Sequence, residues 1–434
     1  MIKKIFFIFL FYLVASGIAL FAQNNEARIF SPGDELTLKV AVCGPGDELY
    51  FWWGHIGLII EDSSTGESNF YDYGIFDFNQ ENFFYNFAFG RLLYSCGVSP
   101  FGWNYDVYKS TNRDITVYTL DLSYEAKLRV KKFAEFNVLP ENKDYFYHHF
   151  DDNCSTRIRD IIDLAVNGQF SEKYKNEESR FTLRSHVHRH TWFSPPVDWF
   201  LSFLMGQVID TKISVWEDMF LPSEVGNRIE EFSYIDEQGE SRKLVVSKEA
   251  LLVSENRPAA LAKTQLQFPV KHIFSLLFIS LLLSVLFAFF FYLQSKNFRV
   301  GRVLAGISMS LAGLLFGSAG TLLYFMSLFT NHDYTYQNLN MIFCTPLLLV
   351  SFPFGILYAV TGKQEKLKKY SALLRTIWLL CAVGVIISML IKILPWFYQG
   401  NLTDQLLILP LALVFSYQST GFKEYLKKWG INWA

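Results

Sequence analysis

Hydrophobic residues are distributed along this chain in two distinct ways. Over roughly the first 260 positions, short apolar runs are broken by charged and turn residues; beyond them long apolar runs dominate, as in a membrane domain. In the first part, Leu36–Val42 alternates with the period of a strand. Phe51–Ile60 is a branched and aromatic run that predicts another, and Ser68–Gly74 and Ile115–Leu122 read the same way. Tyr124–Phe136 has helical spacing and stops near Pro140. A second helix is predicted after Cys154, where Ile158, Ile161, Ile162, Leu164 and Ala165 share one face and Asp152 and Asn153 are good N-cap residues. Gly239–Asn256 reads as a short polar, β-rich ending. The pattern predicts an α+β domain with helix and sheet segregated.

In the second part, five stretches are apolar enough to be read as bilayer spans: His272–Leu293, Val303–Leu328, Leu339–Val360, Leu373–Leu394 and the shorter Leu402–Tyr417. Lys296, Arg299 and Arg302 lie between the first two. Lys363, Lys366, Lys368, Lys369 and Arg375 lie between the third and fourth, and Lys423, Lys427 and Lys428 in the tail. The loops Phe329–Asn338 and Pro395–Asn401 carry no lysine or arginine. Positive charge therefore marks the cytoplasmic side and puts everything before His272 outside. Met1–Ala22, with Lys3 and Lys4 ahead of an apolar run and a small residue at its end, reads as a signal peptide and points the same way. The expected layout is a signal peptide over 1–22, a periplasmic domain over 23–262, an all-α five-helix transmembrane domain over 272–417 and a cytoplasmic tail over 418–434.

Composition changes this picture little. A formal net charge of -2 gives no argument for nucleic acid. The five cysteines form no CxxC pair and no zinc-ligand spacing, and no metal or cofactor is expected. Cys43 and Cys96 are free to pair in an exported domain, which leaves Cys154 as the lone thiol there. At a helix start, backbone N–H groups and the helix dipole favour its thiolate, while Asp151 and Asp152 oppose it. Such a nucleophile needs a base and a group to orient that base. His55, beside Gly54 and Gly57 on a strand, is the candidate base. Asp72, on the next strand, is the candidate orienter, with Asp77 and Glu61 as competitors.

A strand histidine followed later by Asn-Cys at a helix start is the circularly permuted order of the papain-like fold. The chain is similar in this to lecithin retinol acyltransferase and the permuted relatives of the NlpC peptidases. More specifically, Gly54-His55, Tyr73–Phe78, Gly90–Tyr94 and Asp152–Asp160 resemble the Lnb family, the Bacteroides-type lipoprotein N-acyltransferases. Leu204-Met205-Gly206, Asp210 and Phe220-Leu221-Pro222 continue the likeness. The resemblance implies a permuted papain-like periplasmic domain in the inner membrane's outer face. Cys154 would take an acyl chain from a membrane phospholipid as a thioester, with His55 accepting its proton. The α-amine of a diacylated lipoprotein would then receive the chain. Substrate-binding roles are assigned to Arg91, Asn153, His332 and Asp333. A membrane-anchored cysteine hydrolase of the same fold and a non-catalytic envelope scaffold are the alternatives.

Two further stretches have plain readings. His186, His188 and His190 lack a carboxylate or cysteine at metal-site spacing and are expected on a polar surface near the bilayer. Pro195–Ile209 is expected as a core helix rather than as an interfacial guide for acyl chains.

Overall fold

The computed structural model describes residues 35–79, 81–257, 268–269 and 272–417. The signal peptide and the cytoplasmic tail expected from the sequence lie outside the described residues, as does the boundary near 262. The first domain is built on seven strands: β1 (Leu36–Cys43), β2 (His55–Asp62), β3 (Glu67–Ile75), β4 (Leu93–Pro100), β5 (Ile115–Leu120), β6 (Asp144–Phe146) and β9 (Val245–Leu252). They form one antiparallel sheet in the order β6-β4-β3-β2-β1-β5-β9. A separate ribbon pairs β7 (Ser233–Ile235) with β8 (Ser241–Lys243). Helices α1 (Phe83–Ala88) and α2 (Phe101–Ser110) flank β4, and α3 (Tyr124–Asn137) follows β5.

Alternation along β1 puts Leu36, Leu38 and Val40 on one face of the sheet, where they meet Ile56, Leu58 and Ile60 of β2. That face is covered by α3, by α4 (Cys154–Ala165) and by α9 (Pro222–Glu231). Ile158, Ile161 and Ile162 of α4 are fully buried there, a contribution of roughly 5–8 kcal/mol as an upper bound. The opposite face is smaller, with Phe70, Ile59 and Cys43 under Tyr108 of α2. One expected strand is shortened: Leu49–Phe51 forms a 3₁₀ turn, and β2 starts only at His55. Gly54, at φ +79°, makes that turn, where an added Cβ would stand 2.7 Å from the Cys43 carbonyl oxygen.

Between the sheet and the membrane helices lie α5 (Gln169–Tyr174), α6 (Leu183–Thr191), α7 (Pro195–Leu204) and α8 (Val215–Asp218). The membrane part holds α10 (Ile273–Ser295), α11 (Arg299–Phe329), α12 (Ser351–Val360), α13 (Gln364–Ile391) and α14 (Leu402–Tyr417). Three of them, α10, α11 and α13, with 23, 31 and 28 residues, are long and apolar enough to cross a bilayer. The other two expected spans fall on shorter apolar helices, Pro346–Val360 and Leu402–Tyr417. Leu339–Val360 is not one helix: it opens with two 3₁₀ turns, and its apolar helical part runs only over Pro346–Val360. That segment and α14 each measure about 22–24 Å, short of the roughly 30 Å hydrocarbon thickness. Gly306, Gly313, Gly317 and Gly320 line one side of α11, where added Cβ atoms would meet 347–360 backbone or neighbouring atoms at 2.2–2.6 Å. Small residues let these elements approach closely, the usual device of helices packed in lipid.

The two parts are joined by buried hydrogen bonds. Asn338 Nδ2 donates to the carbonyls of Phe203 (2.9 Å) and Leu204 (3.0 Å), Gln399 Nε2 to that of Met205 (3.1 Å), and the Gly206 N–H to that of Tyr334 (2.7 Å). Asp210 accepts from Arg184 at 2.8 Å and from the Gly400 N–H at 3.0 Å. The α7 helix is thus a core element, with Phe203 and Leu204 in one cluster with membrane-helix side chains such as Phe291 and Phe415.

Candidate active site

The N-terminus of α4 is fixed by Asn153. Its Oδ1 accepts from the N–H groups of Ser155 (2.8 Å) and Thr156 (3.0 Å), and the Thr156 hydroxyl accepts from the Asn153 N–H at 2.8 Å. Its Nδ2 donates to the carbonyls of His149 (2.8 Å) and Phe220 (3.1 Å). The polar groups of Asn153 hold the helix start and tie it to the His149 and Phe220 carbonyls. Cys154 is the first residue of the helix, 8 % exposed. The capping side chain takes the N–H groups after it but leaves the Cys154 N–H without a partner among the described residues. Asp152, expected to oppose a thiolate, is held by Arg157 through two bonds of 2.7 and 2.9 Å.

His55 is the first residue of β2, at the end of the sheet where α4 begins. Its Nε2 bonds Asp72 Oδ1 at 2.9 Å, and the Cys154 sulfur lies near enough to act on the charge of the ring. The three residues expected from the sequence are therefore brought together by three different elements. Burial of the ring works against its charge, but the Asp72 carboxylate and the Cys154 sulfur outweigh it and set the His55 pKa well above the ordinary value. Burial would likewise raise the Asp72 carboxyl, yet His55, the Gly74 N–H and Arg113 hold it below the usual range.

A bulge in β3 between Asp72 and Ile75 makes this possible. It turns the Gly74 N–H onto Asp72 Oδ1 at 2.6 Å, so the carboxylate is gripped by backbone as well as by imidazole. A Cβ on Gly74 would stand 2.6 Å from His55 Cε1. The glycine that gives the ring its room is thus Gly74, not Gly54 or Gly57; the space at Gly57 is filled by the Phe70 ring, 2.2 Å from where a Cβ would sit. Asp77 and Glu61 have other surroundings: Asp77 accepts from the Asn79 N–H at 2.8 Å, and Glu61 pairs with Lys39 at 2.7 Å.

Tyr94 and Tyr147, their rings stacked 4.1 Å apart, pack against the core cluster that contains Cys154. Burial, then the nearby Cys154, pushes the Tyr94 hydroxyl up to about 12 and that of Tyr147 well above its ordinary value, so both stay protonated. The other cysteines of this domain are separate. Cys43 and Cys96 are both free and buried, on strands three places apart in the sheet or about 14 Å, too far for a disulfide. Burial raises both their thiols, Cys96 to about 11.

The remaining assigned residues lie at the join between the two parts. His332 is buried, with Nε2 against the Phe87 carbonyl oxygen at 3.2 Å and Nδ1 against the Tyr334 hydroxyl at 2.8 Å. Asp333 Oδ1 bonds His148 Nε2 at 2.9 Å, and Asp151 reaches the other nitrogen of that ring at 3.1 Å. Both His332 and Asp333 thus have partners within the chain. Arg91 is exposed beside Gly90, where an added Cβ would meet the Asn331–His332 backbone at 2.9 Å. The histidine triplet is not at the surface. His186 Nε2 bonds Asp218 at 2.6 Å, His188 Nδ1 bonds Asp198 at 2.7 Å and His190 Nδ1 bonds the His186 carbonyl at 2.8 Å, all buried. Their carboxylates arrive from elsewhere in the chain, which spacing within the triplet does not reveal.

A cysteine, a histidine and an aspartate at one end of an antiparallel sheet, docked on a helical membrane part, define a membrane protein with a candidate thiol site outside the lipid. Residues 26–189 match the Lnb N-terminal periplasmic domain and residues 269–422 match the Lnb transmembrane domain. Together these cover most of the chain, which belongs to the Lnb family, with a periplasmic N-terminal domain ahead of a transmembrane domain. No curated protein and no solved structure matches it.

Proposed function

We propose that the protein is a lipoprotein N-acyltransferase working through a Cys154 thioester at the outer face of the inner membrane, on a permuted papain-like domain. The observation that carries this reading is the placement of Cys154, at the first position of a capped helix, near an imidazole already bonded to Asp72. His55 Nδ1 takes the thiol proton, and Sγ attacks the ester carbonyl of a membrane phospholipid. The tetrahedral oxyanion forms beside the unpartnered Cys154 N–H, which donates to it. His55 returns its proton to the departing alkoxide, leaving a lysophospholipid and an S-acyl enzyme. The α-amine of an S-diacylglyceryl-cysteine lipoprotein then attacks the thioester, giving its proton to His55, and collapse releases the amide and the Cys154 thiolate. Two steps through a thioester replace one slow ester-to-amide transfer. Docking of the domain on membrane helices supports a lipid donor, since it keeps the thiol at the level of both substrates. Neither step calls for a cofactor.

The full chain, incubated with phospholipid labelled in its acyl chain and quenched in acid, is expected to carry hydroxylamine-sensitive label that Cys154→Ser lacks. Label persisting on the variant, or absent from the wild type, overturns the thioester. Mass spectrometry of lipoprotein N-termini then separates acyl transfer from simple lipid hydrolysis.

A further inference from the structure

Between β3 and β4 the chain runs Ile75-Phe76-Asp77-Phe78 and then enters α1, whose sequence is Phe83-Phe84-Tyr85-Asn86-Phe87-Ala88. This short helix hides none of its rings: Phe84 is 76 %, Tyr85 57 % and Phe87 50 % exposed, and Phe78 before it is 51 % exposed. So many rings presented together are costly in water and ordinary at the edge of a bilayer. The helix is held at that edge. The Phe89 ring lies 5.5 Å from that of Phe325 on α11, the Asn331 N–H donates to the Phe89 carbonyl at 2.9 Å, and α11 ends at Phe329, itself 67 % exposed. The lipid-facing side of a membrane helix therefore continues onto α1.

From α1 the rings lead inward without a break. Phe83 lies 5.0 Å from Phe78, Phe78 4.9 Å from Phe76, Phe76 5.2 Å from Tyr94 and Tyr94 4.1 Å from Tyr147. Tyr94 and Tyr147 pack against the core cluster that contains Cys154. We infer that the segment Phe76–Phe89 is an entry path along which an acyl chain of an outer-leaflet phospholipid leaves the bilayer and reaches the Cys154 sulfur. This deepens the thioester reading and rests on it for its purpose, though not for its geometry. An aromatic track suits this passenger because ring faces solvate a hydrocarbon chain of any length and offer no hydrogen bonds that would arrest it. Asp77 and Glu81 are the segment's only charges, and both are exposed.

The test uses the full chain, as Cys154→Ser, in nanodiscs of phosphatidylethanolamine carrying a photoactivatable diazirine in one acyl chain. Adducts are mapped by mass spectrometry after illumination. They are expected on peptides spanning Phe76–Phe89 as well as on the membrane helices. Phe78→Glu and Phe84→Glu, both at exposed positions, should each reduce the adducts on Tyr94 and Tyr147 by roughly tenfold by placing a charge in an apolar path. Trp103→Glu, at an exposed ring of α2 outside the track, should leave them unchanged. Adducts confined to the membrane helices, or equal losses in all three variants, overturn the path. The outcome is separable from that of the thioester: adducts on the track with no S-acyl wild-type enzyme would sink only the chemistry, whereas S-acyl enzyme without adducts would sink only the route.

Discussion

Two histidine–aspartate pairs of the periplasmic domain, His55–Asp72 and His186–Asp218, look alike and differ in what surrounds them. His55 Nε2 bonds Asp72 at 2.9 Å, and His186 Nε2 bonds Asp218 at 2.6 Å. In the first pair the imidazole side chain is 14 % exposed and the Cys154 thiol lies near it. In the second the side chain is fully buried and Nδ1 is occupied by the Arg189 guanidinium at 2.8 Å. Asp218 also accepts from the Ser179 hydroxyl at 2.8 Å, so both carboxylate and ring are consumed. Geometry of the pair alone does not make a base. What separates them is a ring nitrogen with a reactive partner and a way in for substrate.

Opposite consequences should follow from deleting each ring, and these are the largest effects expected. His55→Ala removes the proton acceptor, and formation of the S-acyl enzyme should fall by about a thousandfold, while the domain resists proteolysis as before. His186→Ala leaves Asp218 buried without its main partner and should cost about 3 kcal/mol of stability, with acylation per folded molecule kept. Pulse proteolysis and acyl-enzyme trapping on the same preparations read both quantities. Were His186→Ala to abolish acylation at unchanged stability, the second pair would be functional and the comparison would fail.

A smaller effect tests how tightly the first pair is positioned. In Gly74→Ala the new methyl would come within 2.6 Å of His55 Cε1, and the ring must swing away from the sulfur or from Asp72. Displacement of a base by about an ångström lowers rates by roughly a hundredfold or less. Gly57→Ala, two residues along β2 from His55, instead meets the buried Phe70 ring and should cost about 1–3 kcal/mol by overpacking. Acylation rates for Gly74→Ala within a factor of two of wild type would show that the ring is not held by the bulge.

Much of this arrangement was legible in the residues. Alternation located β1, β3 and β5, and the helix spacing after Asn153 located α4 together with its cap. Strand histidine, strand aspartate and helix-start cysteine were readable because each sits on an element that local pattern defines. What escaped depends on partners distant in the chain. The carboxylates of His186 and His188 come from Asp218 and Asp198, so a tract that reads as polar surface is a sealed network. Leu204-Met205-Gly206 and Asp210 read as motif and proved to be the seam with the membrane helices. The run from Phe51 to Trp53 has strand composition, but the left-handed Gly54 closes a turn there. The stretch Leu339–Val360, which reads as continuous, forms 3₁₀ turns over Leu339–Ile342 and Pro346–Val350 and becomes α-helical only at Ser351.

A more exposed pair, His148–Asp333, joins the periplasmic domain to the loop after α11 and should give the smallest effect. Here the carboxylate side chain is 55 % exposed, so solvent screens the interaction to about 0.5–1 kcal/mol. Burial of His148 would lower its pKa, but Asp333 and then Asp151 outweigh it and raise it above 6.5; the hydrogen bond from His148 lowers Asp333 below 3.8. A raised histidine stabilises fully below its unfolded pKa and loses that contribution as pH climbs through the folded one. A lowered carboxylate does the reverse, contributing above its unfolded pKa and losing it as pH falls through the folded one. The latch is therefore complete between about pH 4 and 6.5 and weakens on either side. Hydrogen exchange at the Asn331–Tyr334 amides should slow within that window and quicken above it in the wild type, while Asp333→Asn flattens the profile. A pH profile that persists unchanged in Asp333→Asn would assign the titration to another group and leave His55 and His186 as the only instructive contrast.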